Sequence, residues 1–410
     1  MKTNTRIMSV FLTLIMIIGI LSVSVISSSA VVEIEDGDFS FVKNSDGTYS
    51  LYRYYGEDTD ITLPTEVFGR DVTAIYSHAF EDSTITSVII PEGYTSIGAS
   101  AFYGCESITE ITLPSTITSL GNMAFNSCTS LETVDLSAAT SLTAISYASF
   151  QGDTALKTIN IPASITTIEN NAFAKSGLTS IEIPDTVTTV GASVFSGCTD
   201  LTDVILPEGL TTIEGYLFDG CTSLNSVNIP DSVTEIGDSA FKNCASLSNV
   251  TLPEKLTEIG VAAFSGCTSI SEIEIPNTLT TIGANAFENC TSLTEIFIPD
   301  TVTSIGGNAF YPMSVQNKIK IVCYKDSVAE TYCNENFVTV EAVVKNAGDA
   351  NLDGNVNIND VTFIQKYRVG KQEFSSYRAK GLADVNGDGK VTIRDATLIQ
   401  MKIAKEDVGF

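Results

Sequence analysis

The strongest constraint on this chain is a period. From residue 61 to residue 311 the sequence repeats about every 23 residues. An aromatic marker recurs at Phe80, Phe102, Phe125, Phe150, Phe173, Phe195, Phe218, Phe241, Phe264, Phe287 and Phe310, at spacings of 22 to 25. A second marker is Pro64, Pro91, Pro114, Pro162, Pro184, Pro207, Pro230, Pro253, Pro276 and Pro299; the one missing proline falls at Ser137. A unit this short cannot bury its own apolar face, so it must stack on copies of itself, and a fixed period of this size means a solenoid. The alternating stretch Leu224-Asn-Ser-Val-Asn-Ile229 reads as a strand closed by Pro230, where no ladder donor is needed. With strands ~4.8 Å apart, eleven rungs build a stack on the order of 50 Å long.

Open ends of such a stack would expose core and strand edges. Residues 38–55 read as a β-hairpin around Asp46-Gly47 that caps the start, within an N-terminal segment 31–60. Residues 318–341 read as strand, short helix (327–336) and strand, within a closing cap and linker at 312–344. The repeat itself, with Leu-x-x-Ile-x-Ile, Ile-Pro, Val-Thr-x-Ile-Gly and Ala-Phe-x-x-Cys, resembles the BspA-like (treponemal-type) leucine-rich repeat family. The resemblance implies a mostly β leucine-rich repeat solenoid over 61–311, presenting a face to an unknown protein or cell-surface ligand.

Residues between the apolar strand positions should line the concave face. They are polar and acidic, without Lys or Arg, and include Glu182, Asp203, Glu272, Glu274 and a single aromatic, Phe297. Sugar-binding platforms use aromatic faces, so a basic peptide or protein suits this strip better than a polysaccharide. Cys105, Cys128, Cys198, Cys221, Cys244, Cys267 and Cys290 share one repeat position and are expected as a ladder of buried thiols that bond weakly to loop backbone. Cys323 and Cys333 lie outside it and could form a disulfide in an exported protein.

The C-terminal region carries a different pattern, two twelve-residue loops set 35 residues apart. A hard cation takes oxygens from positions 1, 3, 5, 7, 9 and 12 of such a loop, with Gly at 6 for a sharp turn. The first copy offers Asp349, Asn351, Asp353, Asn355, Asn357 and Asp360; the second offers Asp384, Asn386, Asp388, Lys390, Thr392 and Asp395. Asn355 and Lys390 contribute only a backbone carbonyl. Gly354 and Gly389 stand at position 6. Two calcium ions are therefore expected, and a module this small needs them to fold. The segment entering the first loop is β-branched and reads as strand or linker, whereas a helix leaves each loop. Asp, not Glu, closes both loops.

Duplicated loop–helix units closed by Asp resemble a type I dockerin module, over about residues 347–405. The resemblance implies a small all-α calcium-binding module that docks onto a cohesin module of a scaffoldin. Loop positions 10 and 11 and helix positions 17 and 18 would make the contacts: Ile358, Asn359, Gln365 and Lys366, then Ile393, Arg394, Gln400 and Met401. The near-symmetry of the copies allows two binding orientations about 180° apart; the unlike pairs Asn359/Arg394 and Lys366/Met401 leave the two unequal. By analogy, the setting is an extracellular polysaccharide-degrading assembly (a cellulosome), attached through a scaffold of a Gram-positive bacterium.

Composition and the N-terminus agree with an exported protein. Lys2 and Arg6 precede an apolar stretch at 7–26, and Ser28-Ser29-Ala30 offers a cleavage site, so residues 1–30 are expected to be a signal peptide with no membrane insertion once it is cut. A net charge of −27 and a pI near 4.2 exclude nucleic acid as a partner. No catalytic constellation is found: the one histidine, His78, sits in ordinary repeat sequence, and no phosphate loop or cofactor fingerprint occurs. The expected function is that of a secreted, non-catalytic interaction protein. The competing classes are a dockerin-borne glycoside hydrolase or peptidase with a cryptic site, and a protease inhibitor or adhesin.

Overall fold

A computed structural model describes residues 32–311, 319–336, 338–343 and 345–404. The expected signal peptide lies outside the described residues. Among the described residues no helix is long and apolar enough to cross a membrane.

The chain opens with Glu33–Asp36, Phe39–Lys43 and Tyr49–Tyr54, an antiparallel trio with a bulge at Ser40/Phe41. Its last strand then pairs in parallel with Arg70–Ile75, which pairs in parallel with Ser96–Ile97. The hairpin therefore supplies the first rung of the stack and covers its end, with Glu33–Asp36 as the outermost strand.

Each turn of the solenoid contributes two short parallel strands. One ladder runs through Asp60–Thr62, Ser87–Ile89, Glu110–Thr112 and Thr133–Asp135, and resumes at Ser180–Glu182, Asp203–Ile205, Ser226–Asn228, Asn249–Thr251 and Glu295–Ile298. In most of these strands the middle residue is buried and its neighbours face out, as period-2 geometry demands. The other ladder is built of two-residue strands such as Thr212–Ile213, Glu235–Ile236 and Glu258–Ile259. At its ends the rungs come very close. A Cβ on Gly121 would lie 2.4 Å from the Ala99 nitrogen of the previous turn.

A third set of hydrogen bonds closes the turn around each phenylalanine. In the unit of Phe102, the amides of Ser100, Phe102 and Gly104 donate to Asn122, Ala124 and Asn126 of the next rung. Three alternate amides can point the same way because Ser100 and Gly104 both have positive φ. The same left-handed position, two before the phenylalanine, is held by Met123, Asn171, Tyr216 and also His78. His78 is thus a turn residue of the repeat, exposed and paired with Glu81 at 3.1 Å.

Inside the turn the phenylalanines form one continuous column. From Phe80 to Phe310 successive rings stack within 16° of parallel, with centroids 4.9 to 5.9 Å apart. Beside it runs the cysteine ladder. Each thiol donates to the carbonyl of a phenylalanine on the preceding rungs, as in Cys221 to Phe195 at 3.1 Å and Cys267 to Phe241 at 3.0 Å. The first rung carries Ser83 in its place, and inside the ladder Asp153 and Ser176 stand for cysteine, both buried.

The far end is closed by Lys320–Tyr324, parallel to Glu295–Ile298, then helix α1 (Val328–Asn336) and strand Thr339–Val343. Cys323 and Cys333, which the sequence leaves open as a possible disulfide, are both buried here as free thiols. Burial pushes both thiols up, Cys333 to about 12. After this cap come three helices: α2 (Ile358–Arg368), α3 (Tyr377–Ala383) and α4 (Ile393–Ala404).

Candidate functional site

The two acidic loops fold identically from local chemistry. In the first, the Asp349 carboxylate accepts the amides of Asp353 and Gly354, both at 3.0 Å. Asn351 Oδ1 accepts the Asp353 amide and Asp353 Oδ1 accepts the Asn355 amide, each at 2.9 Å. Asp360 closes the loop by accepting the Asn357 amide at 2.8 Å and the Asn351 amide at 3.2 Å. The second loop repeats this network: Asp384 accepts from Asp388 and Gly389, Asn386 from Asp388, Asp388 from Lys390, and Asp395 from Thr392 and Asn386. Gly354 and Gly389 turn the chain with φ of +86° and +80°, where a side chain would be strained. Asn357 caps α2, and Asp360 returns the bond as a capping box.

These cages bury charge. Asp360 and Asp395 are fully buried and Asp349 nearly so. Burial, reinforced by the neighbouring Asp349 carboxylate, pushes Asp360 above the usual carboxylate range. Among the described residues no three His, Cys, Asp or Glu side chains gather at one point. A cage here therefore also draws on Asn and Thr side-chain oxygens and main-chain carbonyls, the hard oxygen set that suits calcium. The hydrophobic core between the loops is small: Ala350, Val361, Ile364, Ala383, Val391, Ala396 and Ile399. Val356 and Val391 of loop position 8 both belong to this cluster.

All eight positions expected to meet a partner are exposed on α2, α4 and the loop ends before them. Among them Ile358, Ile393 and Met401 expose 57, 60 and 43% of their surface.

A model of the BspA-type leucine-rich repeat region (6 copies) matches twice, over residues 73–202 and 188–317, well over half of the chain, and a type I dockerin model matches residues 347–404. The chain belongs to the BspA-type leucine-rich repeat family and carries a C-terminal type I dockerin. No curated protein matches it. Similar solved structures include a leucine-rich cell-surface protein from Faecalibacterium prausnitzii, 28% identical, covering 78% of this chain and 100% of that one with a TM-score of 0.48. A leucine-rich repeat protein from Bacteroides ovatus is 22% identical and covers 76% and 99%, with a TM-score of 0.44. Cohesin binding and calcium binding are the general properties of type I dockerins, and both modules are typical of extracellular bacterial proteins. Solenoids and dockerins of these kinds are typically non-catalytic, and no enzyme domain was found.

Helix α3, which enters the second dockerin loop, is the element that sequence reasoning missed. Its only local signals are the Ser376 cap, which accepts the Ala379 amide at 3.2 Å, and buried Ala379, Leu382 and Ala383. This helix also changes the picture of the acidic strip. Strand register places Glu182 beside Ile205 and Ser180 beside Asp203, so Glu182 and Asp203 stand in different columns. Both remain exposed. Glu272 is exposed too. Glu274 and Phe297, by contrast, meet the dockerin: Glu274 accepts the Tyr377 amide at 3.3 Å, and the Arg378 guanidinium sits 5.0 Å from the Phe297 ring centroid. Nor is the strip free of cations at its end, where Lys320 bridges Glu295 and Glu341.

Proposed function

We propose that this protein is a secreted, non-catalytic recognition subunit. Its dockerin plugs into a cohesin module of a scaffoldin, and its repeats display a face to a protein or cell-surface ligand within an extracellular polysaccharide-degrading assembly. Asp349, Asn351, Asp353, Asn357 and Asp360 would hold one calcium ion, and Asp384, Asn386, Asp388, Thr392 and Asp395 a second, with carbonyls of Asn355 and Lys390 completing the sets. Calcium bound there supplies the positive charge that offsets the buried carboxylates of each loop. The chain's own residues then do the rest. The ordered loops fix the first turns of α2 and α4 and so hold Ile358, Asn359, Ile393 and Arg394 outward.

The observation that carries this reading is the exposure of those residues. A module with so few apolar side chains still leaves Ile358, Ile393 and Met401 open to water. Apolar side chains at the start of both helices and along the second are what a partner surface would bury. The test is capture on immobilised scaffoldin cohesins from culture supernatant, with and without chelator, for wild type and for Asp349→Ala with Asp384→Ala. Capture should need calcium and be lost in the double variant. Capture that persists in chelator would sink the proposal.

A further inference from the structure

The dockerin does not trail behind the solenoid; its middle helix is seated on it. The Tyr377 hydroxyl donates to the Leu252 carbonyl at 2.6 Å, and the Tyr377 amide donates to Glu274. Asn277 donates its side-chain amide to the Tyr377 carbonyl, and Lys380 pairs with Glu254. Arg378 covers Phe297, which in turn packs edge-on against Tyr324 at 5.3 Å. Ahead of the dockerin, Lys345 pairs with Asp300 at 2.9 Å. These contacts fall on three successive rungs, at 252–254, 274–277 and 297–300. Here the acidic repeat face meets two cations and a tyrosine from one short segment, and Lys345 from the stretch before the dockerin. Burial, with Glu254 and Glu274 beside it, pushes the Tyr377 phenol up to about 12.

Gly381 gives independent support. Glycine weakens a helix interior, and Gly381 has no positive φ to justify it. What it has is a neighbour: a Cβ there would lie 2.6 Å from Asn277 Nδ2. The glycine lets the helix approach the repeats. A seven-residue helix is marginal alone in water, so α3 depends on what it packs against. Its far end is tied to the second loop. Asp384, position 1 of that loop, is the C-cap residue of α3 and donates its amide to the Lys380 carbonyl at 3.2 Å.

We propose that α3 is an internal ligand of the repeat face: Tyr377, Arg378 and Lys380 clasp the dockerin onto rungs 252–300, and calcium in the second loop keeps the clasp closed. The calcium part rests on the reading of the loops given above. The clasp uses α3, whereas the cohesin positions lie on α2 and α4, so both surfaces are used at once. An external basic partner of the acidic strip must then bind upstream of these rungs or displace α3.

Laser-generated hydroxyl-radical footprinting of the full chain tests this through oxidation of Tyr377 and Phe297, with calcium stoichiometry measured in parallel by calorimetry. Calcium-loaded wild type should protect both rings. Chelation, Gly381→Leu and Lys380→Glu should each raise their oxidation about threefold or more, as expected for local release. Adding Glu254→Lys to Lys380→Glu should restore protection. Gly381→Leu and Lys380→Glu should still bind two calcium ions. If both rings stay protected in Gly381→Leu, the clasp is overturned. If wild type is protected equally with and without chelator, its calcium control is overturned. A chain that takes up no calcium refutes the metal reading instead, and Gly381→Leu against wild type then still decides the clasp.

Discussion

Asp153 stands where most rungs carry cysteine, and replacing it with cysteine should strengthen the solenoid in a pH-dependent way. The Asp153 side chain is fully buried. Oδ1 accepts the Cys128 amide at 2.9 Å, while Oδ2 is buried without a partner. Burial therefore raises the Asp153 pKa well above the usual carboxylate value. Because the folded value lies above the unfolded one, about 3.9, the native state keeps a proton that the unfolded chain releases. The site is most favourable below the unfolded value and loses stability as pH climbs above it toward the folded value. An orphaned buried oxygen costs about 1–3 kcal/mol. A thiol at 153 could donate to the Phe125 carbonyl in the manner of the other rungs. The Cys128 amide keeps a second acceptor, the Phe125 carbonyl at 3.2 Å. Asp153→Cys should thus stabilise the repeats by about 1–3 kcal/mol at pH 7.5, and the gain should shrink toward pH 4. Urea unfolding followed by far-ultraviolet circular dichroism, in saturating calcium, measures the difference at both pH values. Both proteins share one dockerin, so its own titration cancels in that difference. A loss of stability, or a gain equal at both pH values, would refute the account.

Two other consequences follow from the interior columns. Phe218 is fully buried between Phe195 and Phe241, at 5.6 and 5.3 Å, so Phe218→Ala should cost about 3–5 kcal/mol in urea unfolding. A cost below about 1 kcal/mol would mean that the rings do not form a packed column. The ladder thiols are buried, and burial holds Cys105 and Cys290 at about 12, so an aromatic disulfide reagent at pH 8 should label none of the seven until urea is added. Rapid labelling of the native protein would show that the turns open.

The solenoid was legible because stacking writes itself into the sequence as a period. Phe, Cys and Pro recur since each fills an equivalent place on successive rungs, and even the exceptions at Ser137, Asp153 and Ser176 keep the register. The left-handed turns were not legible. Ser100, Met123 and Tyr216 take positive φ without being glycine, because the amide ladder to the next rung compensates them. The loop residues were legible for a different reason, since a twelve-residue cage is local and its donors sit at fixed chain offsets. Helix α3 escaped because its support is distant. It is short, contains Gly381, and rests on Asn277 and Leu252, 100 and 125 residues upstream of Tyr377. The acidic strip was read as one open surface for the same reason: nothing in the sequence near Glu274 or Phe297 reports that Tyr377 and Arg378 will contact them.

The clasp bears on the symmetry of the dockerin. Its two loop–helix units repeat Ile358 as Ile393 and Gln365 as Gln400, so an isolated module offers a cohesin two related faces. The repeats break that equivalence physically as well as chemically. Helix α3 occurs once, between the two units, and it binds the solenoid through contacts that have no counterpart in the first unit. With the clasp closed, turning the dockerin by half a turn on its cohesin carries the whole stack of repeats to the opposite side of the scaffold. On the proposed reading, the unlike pairs Asn359/Arg394 and Lys366/Met401 would then do more than adjust affinity. If they favour one orientation, they would on that reading also select the direction in which the repeats point. Opening the clasp through Gly381→Leu removes that consequence while leaving every cohesin-facing residue in place. The affinity ratio of the two orientations should survive, and only the orientation of the repeats relative to the scaffold should be lost.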